Sequence, residues 1–284
     1  MPIYVNGDVV SPIIVEVSNK LPQVLNKTVT TLTAEDLAGV TQIPNYAFDN
    51  CRSLVSVVLP DTITSIGKHA FYFCDNLQNI NIPINVTSIG TAAFYFCTKL
   101  EGDLDLSNNT NLEIIEGASF EYCPFVNIFL PASILEIGNL AFAYNDDLTT
   151  LNFAGTLQQF IAIDKDARWN YSNSCRFIIN QEELINLTIP ENITELTYAC
   201  FSGCSSLLSV IIPNTVNNIS TLVFDNCQNL TTMRIEATTP PTLGNISAIS
   251  TATTQIQVPM ASVGAYKTAT NWSNFADIIV GYTE

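Results

Sequence analysis

Positive charge is the scarcest resource in this sequence: 10 Lys and Arg stand against 26 Asp and Glu, a formal net charge of -16 over 284 residues. A field of that sign repels phosphate backbones and anionic lipid, so nucleic acid is not an expected partner. No apolar run approaches the roughly 20 residues that cross a bilayer, and no membrane insertion is expected. The start, MPIYVNGDVVSPIIVEV, has no basic stretch and carries Asp8 and Glu16, so it does not read as a secretory leader. Histidine is nearly absent: His69 stands alone, with no nucleophile implied beside it. The eight cysteines include no C-x-x-C or C-x-x-H pair, which removes the usual announcement of zinc.

Apolar residues, by contrast, make up 47% of the chain, enough for a sizeable core. They recur with a period. Aligned on one phenylalanine, the sequence gives Phe48, Phe71, Phe94, Phe120, Phe142, Phe201 and Phe224, with steps of 23, 23, 26, 22, 59 and 23. The cleanest copies are CRSLVSVVLPDTITSIGKHAF and CDNLQNINIPINVTSIGTAAF. A unit of about 23 residues is the length of one leucine-rich coil.

Each position in the unit has a mechanical reading. In Leu77-x-x-Ile80-x-Ile82 the apolar residues alternate with Asn79 and Asn81, as in a strand with one buried face. Pro83 ends the strand, since proline cannot donate to a ladder. Val86 and Ile89 turn inward on the return leg, Gly90 is expected to permit a tight or positive-φ bend, and Phe94 fills the wide end. No coil buries this wedge alone; seven or eight, stacked at about 4.8 Å, make a parallel sheet over a continuous core. The expected fold is an α/β solenoid, a leucine-rich-repeat array with a parallel β-sheet on one face and short irregular or 3-10 return legs.

The motifs AFDNC (47–51), AFYFC (70–74 and 93–97), SFEYC (119–123), AFAYN (141–145), CFSGC (200–204) and VFDNC (223–227) resemble the BspA-like, Treponema-type class of leucine-rich repeats. That class is common in surface proteins of bacteria and some protists and occurs in phage-encoded structural proteins. The resemblance implies recognition or adhesion; the residues themselves offer no catalytic constellation, so no enzyme activity and no cofactor are expected. It implies a protein or carbohydrate partner on a cell surface, and a location on a cell surface, outside the cell or on a virion, for instance in a phage tail serving host attachment.

Three segments are expected: residues 1–33 as a β-rich cap or attachment segment, 34–237 as the repeats, and 238–284 as a closing cap with a strand and a short helix. Residues 1–33 could also carry homo-oligomer or virion assembly, which leaves a purely structural assembly protein as the alternative reading. Between 154 and 182 the consensus fades, and one enlarged coil is expected there, with a loop projecting around Asp164 to Ser174.

Three residues beyond each phenylalanine stand Cys51, Cys74, Cys97, Cys123, Asn145, Cys204 and Cys227. Asparagine cannot form a disulfide, yet it can fill a buried slot that hydrogen-bonds to turn backbone, so these cysteines read as reduced structural thiols. One position earlier, Phe73, Phe96, Tyr122 and Tyr144 should form an aromatic column, a second contact surface if exposed. Glu101, Asp103 and Asp105, with Asn108 and Asn109, have calcium-type oxygens but no EF-hand spacing, and a solvated acidic face is the plainer reading; no metal site is assigned.

What remains for binding is the wet side of the sheet. One outward column should be Ser56, Asn79, Asp103, Asn127, Thr150, Asn186, Ser209 and Thr232, and the next Val58, Asn81, Asp105, Phe129, Asn152, Thr188, Ile211 and Arg234. From these, Asn79, Asn81, Asp103, Asp105, Asn127, Phe129, Asn152 and Arg234 are the candidate binding residues.

Overall fold

The computed structural model describes residues 3–5, 8–10, 29–165, 168–170 and 174–283. Most of the 1–33 segment, and 166–167 and 171–173 of the expected loop, therefore lie outside the described residues. Near the start, strands Ile3–Val5 and Asp8–Val10 pair antiparallel.

From Thr31 onward the chain is a parallel β-solenoid. On the first face, Thr31 pairs with Ser56 and Ser56 with Asn79. Asp103 pairs with Asn127 and Asn127 with Thr150. Asn186, Ser209, Thr232 and Gln255 continue the series. The outward columns are thus in the expected register, with one correction: the rung after Thr150 is Arg176, on strand Arg176–Ile179, and Asn186 opens a separate sheet. The stack continues in register past residue 237, ending with Ile256 beside Ile279.

The return legs are more regular than expected. Two-residue strands such as Ser65–Ile66, Ser88–Ile89 and Ile114–Ile115 form a second parallel ladder, because the inward Ile of each leg fixes the same register in successive coils. The third side is a pair of turns, also stitched between coils: the Phe71 N–H donates to the Ala93 carbonyl at 2.7 Å and the Phe94 N–H to that of Ser119 at 2.8 Å. All three sides of a coil therefore satisfy backbone groups on the next one, as burial demands.

Gly90 plays a different part from the one expected. Its φ is not positive. A Cβ there would lie 2.6 Å from the Lys68 nitrogen and 2.8 Å from the Gly67 carbonyl carbon, so glycine is required by close approach between coils. Gly67 and Gly138 face the same limit, at 2.6 and 2.4 Å. Positive φ falls instead on turn positions that are mostly not glycine, for example His69 (55°) and Phe73 (54°) in one coil.

The repeated phenylalanines are fully buried and stack face to face: Phe48, Phe71, Phe94 and Phe120 succeed one another at 4.9, 5.1 and 5.1 Å between centroids. Each pair adds about 0.5–1.5 kcal/mol to the burial of the rings themselves. The cysteine ladder closes the same turns. None of the eight cysteines forms a disulfide. The thiols of Cys74, Cys97, Cys123 and Cys227 donate to the carbonyls of Phe48, Phe71, Phe94 and Phe201 in the preceding coil, at 3.1 to 3.3 Å. Asn145 works in the same slot: its amide donates to the Phe142 carbonyl at 3.1 Å, and its carbonyl accepts from the Cys123 N–H at 2.8 Å.

The irregular coil is built differently from the expectation. Helix Leu157–Ala162 starts on a capping box between Thr156 and Gln159 and delivers buried Phe160 to the core. Asp164 is not on a projecting loop: Asp164–Lys165 is a strand of the second ladder, with Ile137 beside Lys165. Lys165 therefore occupies an inward slot that Ile fills elsewhere. It is buried, donates to the Phe160 and Ile163 carbonyls at the end of the helix, and lies 4.3 Å from the Phe160 ring centroid. Burial lowers its pKa to about 8. Trp169 is buried too, accepting the Phe142 N–H on its carbonyl and donating its indole N–H to the Ala199 carbonyl at 3.1 Å. It joins the repeats on either side of the irregular coil.

Candidate recognition site

The first face is not one continuous sheet. A three-stranded sheet ends at Asn79–Ile80, and the next begins at Gly102–Asp105. The long step of 26 residues between Phe94 and Phe120 falls in this region, in the stretch EGDLDLSNNTNLEII. At the discontinuity lies an open cleft of about 500 Å³. Its floor is apolar, formed by Ile80, Leu104, Phe120 and Phe125, and its rim carries Gln78, Asn79 and Asn81 on one side and Glu101, Asp103 and Asp105 on the other. Amides and carboxylates facing each other over an apolar floor are the makeup of a recognition site: directional polar contacts at the rim, contact area beneath.

Four of the eight candidate residues meet here. Asn79 and Asp103 are exposed. Asn81 lines the cleft, but its amide is spent on the fold: it donates to the Leu59 carbonyl at 2.8 Å and accepts the Leu59 N–H at 2.7 Å, completing a rung that the backbone leaves open. Asp105 is partly engaged, accepting from the Ser107 N–H and hydroxyl at 2.9 and 2.6 Å. The remaining four lie elsewhere. Asn127 donates to Asp103 at 2.7 Å and accepts from Thr150 at 2.6 Å, while Asn152 donates to the Thr150 hydroxyl at 3.0 Å, so these side chains hold the acidic rim in place. Phe129 is half-buried, not the exposed aromatic expected. Arg234 belongs to the sheet beyond the irregular coil, where its guanidinium lies 4.1 Å from the Tyr282 ring centroid and its Nε 3.5 Å from Glu236. The polar rim residue missed from sequence is Gln78, which only the break in the ladder brings in; Glu101 is visible there with Asp103 and Asp105, but as a calcium-type oxygen ligand and not as a binding residue.

The oxygen-rich run does not converge on a common centre. Asn109 is buried, its amide donating to the Ile82 and Pro83 carbonyls. Among the described residues no group of three or more His, Cys, Asp or Glu side chains could hold a metal ion. His69 packs against Tyr46 at 4.9 Å and Tyr72 at 4.4 Å, and burial lowers its pKa, with Lys68 adding to the effect. Seven buried cysteines have raised pKa values caused first by burial, those of Cys175 and Cys200 to about 12, and a thiol so disposed is a poor nucleophile.

The family description "BspA type Leucine rich repeat region" matches residues 26–149 and 168–260, in six copies. The chain belongs to the BspA-type leucine-rich repeat family. Solved structures similar to it include bacterial leucine-rich repeat proteins. One from Bacteroides ovatus is 22% identical with a TM-score of 0.44, covering 78% of this chain, which spans 65% of that one. A leucine-rich cell surface protein from Faecalibacterium prausnitzii is 18% identical with a TM-score of 0.37, covering 90% and 89%. The leucine-rich repeat protein of T. pallidum is 20% identical with a TM-score of 0.32, covering 89% and 84%. No curated protein matches the chain. Among the described residues no helix is long and apolar enough to cross a membrane.

Proposed function

We propose that this BspA-type chain is a non-catalytic recognition module, exposed on a cell or virion surface, that binds a protein or a glycan through the strand-face cleft. The observation that carries this reading is the break in the first ladder, which opens an apolar floor between an amide rim and a rim of three carboxylates. Asn79 and Asp103 are its direct contacts, Asn127 and Asn152 hold Asp103 from the next coils, and Asn81 and Asp105 shape the edges. Phe129 and Arg234 are auxiliary contacts outside the cleft.

The test is binding of the intact chain to arrays of matrix proteins and surface glycans, beside the variant Asn79→Arg/Asp103→Arg and the distant variant Arg234→Ala. At least one target should be bound, with affinity reduced at least tenfold by the cleft variant and by much less in Arg234→Ala. Equal binding by all three proteins would remove the cleft as the contact surface.

A further inference from the structure

The turn side carries a second surface, independent of the cleft. Two aromatic columns run along it. Phe73, Phe96, Tyr122 and Tyr144 follow one another at 4.9, 5.5 and 4.6 Å between centroids, and His69, Tyr72 and Tyr95 at 4.4 and 5.0 Å beside them. Cross-contacts of 4.7 Å (Tyr72 to Phe73) and 5.8 Å (Tyr95 to Tyr122) join the columns into one patch, with Tyr46 at its end 51% exposed. The column residues are half-buried, in contrast to the fully buried phenylalanines one turn inward.

These rings are not required by the coil. The slot held by Phe73 (φ 54°), Phe96 (61°), Tyr122 (59°) and Tyr144 (56°) is held by Asn50 (57°), Gly203 (80°) and Asn226 (55°) in other coils. A left-handed backbone suits Gly and Asn and is disfavoured for other residues. The column is confined to four successive coils, and its neighbouring slot is aromatic in the first two of them, Tyr72 and Tyr95, and Glu121 and Ala143 in the next two. Aromatic residues held at positive φ, in a slot that Asn or Gly serves in other coils, point to function.

Charge indicates the occupant. Exposed Asp146 and Asp147 adjoin Tyr144, and Asp146 acts on the Tyr122 hydroxyl; Glu121, which acts on Tyr122 and Tyr95, is itself buried. The whole chain carries -16. Arg52 already shows the mode of contact, its guanidinium 5.9 Å from the Phe73 ring centroid and 3.9 Å from Asp75. We infer that the aromatic turn face between Tyr46 and Tyr144 docks an extended, arginine-bearing segment of a partner protein, its guanidinium groups meeting the tyrosines and the carboxylates beside them.

The experiment uses the full chain and the variant Phe96→Asn/Tyr122→Asn, which adopts the residue the same slot holds at positions 50 and 226. Thermal unfolding comes first: the variant should melt at the same temperature or higher, and a fall of more than about 5 °C would show that the rings serve packing and overturn the inference. Titration calorimetry then uses a dodecapeptide of alternating Arg and Pro, its Glu-Pro counterpart, and maltohexaose. The Arg-Pro peptide should bind saturably, at least tenfold more weakly to the variant, and the other two should not bind. Failure of the Arg-Pro peptide to bind, equal binding to both proteins, or preference for the oligosaccharide would each overturn it. Asn79→Arg/Asp103→Arg should bind the peptide like the unmodified chain, so the outcome is read separately from that of the cleft.

Discussion

Raising the pH should unfold this protein over a narrow interval, because its core is lined with thiols that can ionise only after unfolding. Burial holds Cys74, Cys97, Cys123, Cys175, Cys200, Cys204 and Cys227 protonated in the folded chain. In the unfolded chain a thiol ionises near pH 8.5. A folded pKa raised above the unfolded one gives stability that is intact below pH 8.5 and declines as pH rises beyond it, since the unfolded state then binds fewer protons. The loss is about 1.4 kcal/mol per pH unit for each thiol, and about 10 kcal/mol per unit for the seven acting together. Lys165 opposes this: its folded pKa of about 8 lies below the unfolded value, so its share of stability rises between about pH 8 and 10.4, by about 2 kcal/mol at pH 9.5. The net loss at pH 9.5 is about 8 kcal/mol, comparable with the 5–15 kcal/mol that hold a typical domain together. Urea unfolding followed by circular dichroism, under a reducing phosphine at half-unit steps from pH 7 to 10, measures it. Stability should be level to pH 8 and collapse before pH 10; a flat profile through pH 9.5 would refute the thiol ladder as described.

Three further outcomes follow from single side chains. Gly90→Ala places a methyl group 2.6 Å from the Lys68 nitrogen, where backbone cannot yield cheaply, and should destabilise the chain by about 3 kcal/mol in chemical denaturation. Lys165→Met removes a buried cation held by carbonyls and a ring and should raise stability at pH 7 by about 2 kcal/mol, with the gain shrinking toward pH 10. Asn81→Ala deletes both hydrogen bonds to Leu59 and should cost about 1–2 kcal/mol, with faster hydrogen exchange at the Leu59 amide as its local sign.

The repeat was legible because its core positions are written in residues with few substitutes: a phenylalanine that fills the coil, a thiol or amide that closes its turn, a proline that ends its strand. Register followed from these, and the outward columns fell where alternation puts them. Legibility failed where the cause lies between coils. Gly90 looks like a bend in sequence, and only the 2.6 Å approach of the neighbouring backbone shows it to be a spacing residue. Lys165 hides in an isoleucine slot because no consensus survives around it, and Arg176 was passed over as a rung for the same reason. Side chains that look available to solvent, such as Asn81, proved to be bound to backbone, and alternation carries no information on that. The aromatic column and its confinement to four coils were visible as a pattern; the positive φ of its slot needed the backbone angles.

The most direct test of a surface recognition role is adhesion itself. Beads coated with the full chain, with Asn79→Arg/Asp103→Arg, or with albumin can be flowed over a panel of epithelial and bacterial cells, counting those retained under fixed shear. Retention well above albumin on at least one cell type, lost in the cleft variant whose melting temperature is unchanged, is the predicted result. Retention no greater than albumin on every cell type, or equal for chain and variant, would contradict it.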